Sequence, residues 1–289
     1  MSAAIYEQAF SPPVLGAAFE RNLGAAGVWR PGVHMDQVRR HPARYLLELG
    51  ASLVLGTYSP QPVRQFDLAK ADGSTRRLTV FAVSDRVVQR ACLTVLQPLA
   101  EQLFLDCSYG FRPGLTVGMA YNRVREWVRA GYWWLVDADI ERCFDTIPHR
   151  HALALLRALC GDSRLAALVG QWLCAPGLAP TAACGLPQGM ALSPLLCNLV
   201  LHRLDMAMQR LQIPMVRFAD DFVCLARSHD DAQRAHDAAA DCLRLGGQAL
   251  HAGKTRVLRC NRRLRFLGQP LPRLSLARAW AAPYQAQVN

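Results

Sequence analysis

The amino-acid sequence predicts an α+β fold, and three observations predict it. Apolar runs of strand length occur at Tyr132–Ile140 ("YWWLVDADI") and Met215–Ala226 ("MVRFADDFVCLA"), each ended or interrupted by carboxylates. Stretches with helical spacing and cap residues lie before, between and after them. The second run also reads as two short strands meeting at its Asp pair, so an antiparallel hairpin is expected.

In chain order, Gly56–Arg90 reads as a strand pair about the turn "ADGS", followed by a helix from near Ser84. Thr116–Ala130 is a helix, with Thr116 as its N-cap and Gly131 just past its end. The Tyr132–Ile140 strand follows, then two helices around His149–Cys160 and Ser163–Leu173. "LSPLLCNLVLHRLDMAMQRL" opens a long helix, with Ser193 as cap and Pro194 at the first helical position. Its apolar positions 196, 200, 204, 208 and 211 share one face. "DDAQRAHDAAADCLRLGG" is a helix stopped by Gly246 and Gly247. No repeat, low-complexity block or linker divides the chain.

Composition narrows the function. The 289 residues are 52% hydrophobic, enough for a large core. Lys and Arg total 33 against 22 Asp and Glu, a net charge of +11. That balance suits a polyanionic partner, nucleic acid first and an anionic membrane surface second. The ten cysteines show no CxxC and no zinc spacing, so reduced thiols in a cytoplasmic protein are expected. The N-terminus lacks the features of a signal peptide, and no apolar run approaches the roughly 20 residues of a membrane helix.

The carboxylates are the sharpest feature. Asp139 ends one apolar strand, while Asp220 and Asp221 sit side by side inside another. Burying one unpaired carboxylate is costly, and two neighbours repel, so a positive group is expected beside them. If the strands pair, Asp139 meets Asp220 or Asp221 on one sheet edge. Such a cluster suits a hard divalent cation, which takes oxygen ligands and substrate phosphates. The alternative is a hairpin tip with both carboxylates in water.

Six further segments fall in a recognisable order: "SYGFRPG" (108–114), "DADIERCFDTIPH" (137–149), "GLPQGMALSPLLCNLVLHRLD" (185–205), "RFADDF" (217–222), "GKT" (253–255) and "FLG" (266–268). Together they resemble the prokaryotic reverse transcriptases of the group II intron and CRISPR-associated type, over roughly Gly56–Gly268. Upstream, "KADGSTRRL…DRVVQ" is similar to the fingers segment of that family.

The resemblance implies a right-hand polymerase with palm and fingers. One reverse transcriptase domain would span 1–270, with fingers at about 1–90 and 147–190 and palm at about 91–146 and 191–270. A short tail, 271–289, would leave no room for a thumb, since three helices take roughly 35 residues. Asp139, Asp220 and Asp221 match the palm carboxylates that hold two Mg²⁺ ions, with Mn²⁺ as a possible substitute, and Ile140 would add its backbone carbonyl. Phe144 matches the bulky residue under the sugar that excludes a 2′-hydroxyl. Gln188 and Gly189 match the lining of the incoming nucleotide, and Lys70 and Arg76 the cations that clamp its triphosphate. Arg112, Phe218 and Lys254 are expected at the nucleic acid, though a solvated basic surface is the competing reading for Lys70, Arg77 and Lys254. His149 and His151 are expected to be structural. Phe218 replaces the usual Tyr of "YADD", Cys143 stands where an aromatic is common, and Glu141 where Lys often sits.

The implied activity is RNA-directed DNA synthesis from a DNA or RNA primer with deoxynucleoside triphosphates, within a CRISPR-associated or other phage-defence complex. A protein or structured-RNA partner would replace the thumb. The alternatives are template-independent or protein-primed DNA synthesis, and a non-catalytic RNA-binding component of a ribonucleoprotein.

Overall fold

The computed structural model describes residues 4–69, 73, 75–179, 183–261 and 264–271. In chain order the elements begin with α1 (Ile5–Ala9), α2 (Pro12–Glu20), β1 (Val28–Arg30), β2 (Val33–His34), α3 (Met35–Arg40) and α4 (Pro42–Val54). Next come β3 (Arg64–Ala69), β4 (Thr75–Val80), α5 (Val83–Glu101), α6 (Val117–Arg129) and β5 (Trp134–Asp139). Then follow α7 (Cys143–Thr146), α8 (His149–Cys160), α9 (Ser163–Leu173) and α10 (Ser193–Arg210). The last are β6 (Met215–Phe218), β7 (Asp221–Ala226), α11 (His229–Leu245), β8 (Arg256–Arg259), β9 (Arg265–Phe266) and β10 (Gln269–Pro270). The mixture of helices and antiparallel sheets is the α+β class that the patterning predicts.

The chain forms two compact units, one from 1–104 and 142–200, the other from 105–141 and 201–289. Helix α5 runs unbroken across residue 90.

In the first unit, β3 and β4 pair antiparallel from Arg64↔Val80 to Ala69↔Thr75, with most of the predicted "ADGS" turn outside the described residues. Helix α5 begins at Val83, one residue before the expected start, and buries Val87, Val88, Ala91, Cys92 and Leu96. Asp162 caps α9, its carboxylate accepting from the N–H groups of Arg164 (3.0 Å) and Leu165 (3.4 Å). The expected cap of α10 is different. Ser193 is the helix's first residue, and its hydroxyl donates to the Pro187 carbonyl oxygen (2.7 Å), tying the preceding loop to the helix. Helices α1 to α4 were not legible in the sequence.

The second unit is organised by one four-stranded antiparallel sheet in the order β6-β7-β5-β8. Thr116 caps α6 as predicted, accepting from the Met119 N–H (3.2 Å). Its apolar stripe Ala120, Val124 and Val128 packs with Leu135, Val216, Val223 and Leu225 of the sheet. Each large aliphatic chain buried this way contributes roughly 1.5–3 kcal/mol. That packing sets the height of the strand ends, and the carboxylates sit on those ends.

Candidate functional site

The register of β5 and β7 places Asp139 directly opposite Asp221. Asp137 lies two residues back on the same face of β5. Phe218 of β6 pairs with Asp221 of β7, so Ala219 and Asp220 form the two-residue connection. Ala219 takes a left-handed backbone, φ 61°, which costs an L-residue about 1–2 kcal/mol.

Three features hold that turn. The guanidinium of Arg217 is fully buried, and one of its Nη atoms donates to the Ala219 carbonyl oxygen (2.9 Å). The same group grips Asp205 bidentately (2.7 and 2.6 Å) and donates to Ser108 Oγ (2.7 Å). The backbone around Ser108 then runs along Arg217 as a short parallel bridge, Arg217 N–H to Cys107 O at 2.7 Å and Tyr109 N–H to Arg217 O at 2.8 Å. Finally, Gly110 abuts the turn so closely that a Cβ there would overlap the Ala219 nitrogen. The run "SYGFRPG" thus acts as a brace. Arg112 belongs to it too, donating to the carbonyl oxygens of Leu105 (2.8 Å) and Ser108 (2.7 Å).

The positive group expected beside the carboxylates is Lys254. Its Nζ lies 2.8 Å from Asp139 Oδ2, and the loop carrying it is fixed by the His251 N–H donating to the Asp139 carbonyl oxygen (2.8 Å). The reading of Lys254 as a purely solvated surface lysine is therefore corrected. Desolvation pushes the Asp221 carboxyl up to about 6, with Asp220, Asp139 and Asp137 adding repulsion and Lys254 opposing it. The outer edge of Asp221 is open to solvent, and water screening tempers the shift without reversing it. Asp137 is also raised, by desolvation first, with Arg256 lowering it and Asp139 raising it.

These donors fit a hard divalent cation. Among the described residues no group of three or more His, Cys, Asp or Glu side chains is placed to hold a metal ion by itself. What converges is a facing pair of carboxylates with a third in the turn, the kind of partial oxygen set that Mg²⁺ completes with water and substrate phosphate. Ile140, fully buried, continues β5 and bridges to Leu250. Phe218 is half-buried against the α6 core, so its ring is chiefly a packing group.

The other predicted residues lie in the first unit. Gly189 has φ 118°, and a Cβ there would overlap the Thr79 carbonyl oxygen. Only glycine fits, because the Gln188 carbonyl accepts from the Thr79 N–H (2.7 Å) and the loop lies against β4. Phe144 is half-buried, and its carbonyl accepts from the Leu186 N–H (2.8 Å), which brings the "CFD" and "LPQG" segments together. Gln89, fully buried on α5, accepts from the Ala191 N–H (3.1 Å) and steadies the same loop. Arg76 is exposed on β4 opposite Leu68. Arg77 instead pairs with Asp67 at 2.9 Å. Lys70 lies outside the described residues. His149 is structural as expected, its Nε2 2.7 Å from the Gly185 carbonyl oxygen. Sequence reasoning missed Arg217, Asp205, Ser108, Gly110 and Gln89 as supports. An arginine inside a buried strand was the available signal, since its charge demands a buried partner.

Residues 68–271 match the reverse transcriptase (RNA-dependent DNA polymerase) family. The chain belongs to that family. Protein YkfC of Escherichia coli K12 is 34% identical over 205 residues, covering 67% of this chain and 54% of YkfC. The group II intron-encoded protein LtrA of Lactococcus lactis subsp. cremoris is 30% identical over 218 residues, covering 74% of this chain and 36% of LtrA. The chain thus spans about half or less of the length of these curated relatives. Among solved structures, a partial Cas6-RT-Cas1–Cas2 complex aligns with TM-score 0.50 and 26% identity, covering 84% of this chain and 42% of that one. A Candida tropicalis telomerase shares the reverse transcriptase fold at TM-score 0.57 and 12% identity, covering 78% of this chain and 46% of that one. No helix of this reverse transcriptase, among the described residues, is long and apolar enough to cross a membrane.

Proposed function

We propose that this chain is an RNA-directed DNA polymerase that extends a DNA or RNA primer with deoxynucleotides in a CRISPR-associated or other phage-defence complex. The observation that carries the reading is Asp139 facing Asp221 across β5 and β7, with Asp220 in a turn clamped by Arg217. The second unit would be the palm and the first the fingers.

In this reading the primer 3′-oxygen attacks the α-phosphorus of the nucleotide, the bond to the β-phosphate breaks, and pyrophosphate leaves. Asp139, Asp220 and Asp221, with the Ile140 carbonyl, would hold two Mg²⁺ ions or substituting Mn²⁺, which supply positive charge to the attacking and leaving oxygens. Lys254 orients Asp139 by its 2.8 Å contact. Gln188 and Gly189 line the nucleotide, with the backbone at Gly189 bare of any side chain. Arg76 and Lys70 take the triphosphate, and Phe144 lies under the sugar. Arg112 supports the template side through the loop that it braces. The relatives named in an intron-encoded protein and in a Cas1–Cas2 complex support a protein or structured-RNA partner, and the ten cysteines without disulfide or zinc spacing support a cytoplasmic location.

Asp139→Asn should abolish primer extension, a loss of several kcal/mol of transition-state stabilisation, while RNA binding stays within about twofold. A folded Asp139→Asn protein with near wild-type extension would overturn the assignment. Phe144→Val should raise ribonucleotide relative to deoxynucleotide incorporation by about tenfold, read as the ratio of kcat/KM values. An unchanged ratio would return Phe144 to core packing alone.

A further inference from the structure

Within the second unit, α11 and the part of α10 from residue 201 onward each bury one side and leave an open groove between them. Asp205 and Met208 of α10 point inward, to Arg217 and to Cys224 of the sheet. Ala235, Ala239 and Leu243 are the buried side of α11. The groove measures about 490 Å³. Its floor is Met206, Ala207, Ala238 and Cys242, and the two alanines leave the space that larger side chains would fill. Leu211 and Leu245 form its lips, 56% and 68% exposed. The spacing of α10 places Leu211 on one face with 196, 200, 204 and 208, yet those four are buried and Leu211 is not. Large aliphatic side chains grouped in water mark a surface that something covers.

The groove is also charged. Arg203 and Arg210, both exposed, stand on its α10 side two helical turns apart, roughly 10 Å. Arg203 reaches the floor: burial raises the Cys242 thiol pKa, and the Arg203 guanidinium beside it opposes the rise. Among the described residues neither arginine pairs with a carboxylate. Those of the two helices are engaged elsewhere, Asp205 by Arg217, Asp230 by His229, Asp231 by Arg234, Asp237 by His236 and Asp241 by Arg244.

We infer that this groove docks an acidic amphipathic helix of a partner protein, with apolar residues on Met206, Leu211 and Leu245 and carboxylates on Arg203 and Arg210. The inference is independent of the polymerase reading. Two neighbouring helices leave a furrow that a third fits, and carboxylates at i and i+7 of a helix lying along α10 match the arginine spacing. Other occupants fit less well. RNA would meet an aliphatic floor with no aromatic ring on which a base could stack. A second copy presenting the same face would set arginine against arginine. The chain's own segment 272–289 carries Arg273 and Arg278 and no Asp or Glu, so it lacks the complementary charge.

The test uses the full chain and a displayed library of helical peptides of about 18 residues, apolar at i, i+3, i+4 and i+7, with Glu, Gln or Lys varied beside those positions. Selected peptides should carry two glutamates at i and i+7. Arg203→Glu/Arg210→Glu should bind them at least about tenfold more weakly, and Lys in place of those two glutamates should restore most of the affinity for the reversed chain. Leu211→Asp/Leu245→Asp should weaken binding at least as much. All four side chains are exposed, so the urea midpoint of both variants should match that of the unmodified chain. Selection of no peptide, or only of basic or uncharged ones, would overturn the inference, as would affinity indifferent to charge reversal. Single-stranded RNA bound more weakly after charge reversal but equally well by Leu211→Asp/Leu245→Asp, with no peptide selected, would make the arginines a phosphate site and overturn it too. So would a dimer of the unmodified chain that Leu245→Asp dissolves in sedimentation, which would make the groove a contact between copies.

Discussion

Two antiparallel hairpins, β3–β4 and β6–β7, each carry an arginine that pairs with an aspartate, Arg77 with Asp67 across its own hairpin and Arg217 with Asp205 of α10, and the two pairs live in opposite surroundings. Arg217 and Asp205 are both 0% exposed, whereas the side chains of Arg77 and Asp67 are 54% and 49% exposed. In water a pair gains little, because solvent screens it and two long side chains lose freedom. Buried, each charge depends on the other, and removing one partner strands the second in a low-dielectric interior. The buried pair is also where the geometry is demanding. It sits under a strained, left-handed Ala219 that no propensity would select, and it donates to that residue's carbonyl. The exposed pair steadies a hairpin that needs no strain.

The largest effect should follow from breaking the buried pair. Arg217→Met leaves Asp205 unpaired and should destabilise the protein by about 3–5 kcal/mol in urea unfolding. Arg217→Met combined with Asp205→Leu should recover most of that stability, because it removes both charges. Primer extension should nevertheless stay low in the double variant, since the Ala219 carbonyl has lost its donor. Full activity in the double variant would show that the pair stabilises the fold without shaping the turn.

A second buried carboxylate sharpens the comparison. Asp85 is fully buried with no arginine, held by the Tyr58 hydroxyl (2.6 Å) and the Gln61 N–H (3.0 Å). Desolvation outweighs those donors and raises its pKa to about 6, against an ordinary value of 3.8. The folded state therefore binds more protons than the unfolded state between these values, and stability from this group falls as pH rises from about 4 to 6. The full loss is on the order of 3 kcal/mol. Asp85→Asn should flatten that part of the pH–stability curve. A curve of wild-type slope in the variant would show that Asp85 is ionised throughout, its charge offset by its donors.

The smallest effect should come from the exposed pair. Arg77→Ala or Asp67→Ala should change unfolding free energy by less than about 1 kcal/mol, and less again at high salt. A change as large as that of Arg217→Met would erase the distinction between the two hairpins.

Local pattern alone determined a good deal. The helical spacing and caps of α6, α8, α9 and α11, and the apolar runs of β5, β6 and β7, are short-range signals that survive in the fold because packing agrees with them. The carboxylates at the ends of those runs were legible for the same reason: a charge inside an apolar strand has few places to be except an edge. The "LPQG" loop and Phe144 were legible through the family's motifs, yet the reason that Gly189 must be glycine, its contact with the Thr79 carbonyl 110 positions earlier in the chain, was not. Nor were α1 to α4, whose short apolar stretches carry too few turns to show a period. Only the tertiary structure decided that Arg217 would find Asp205 and Ser108, that Lys254 would close on Asp139 from 115 positions away, and that Gly110 would leave room for Ala219 to turn. Each of these depends on two distant segments arriving at the same place. Burial there makes each partner of an ion pair depend on the other, or makes a methyl group intolerable, and no local preference of either segment carries that information.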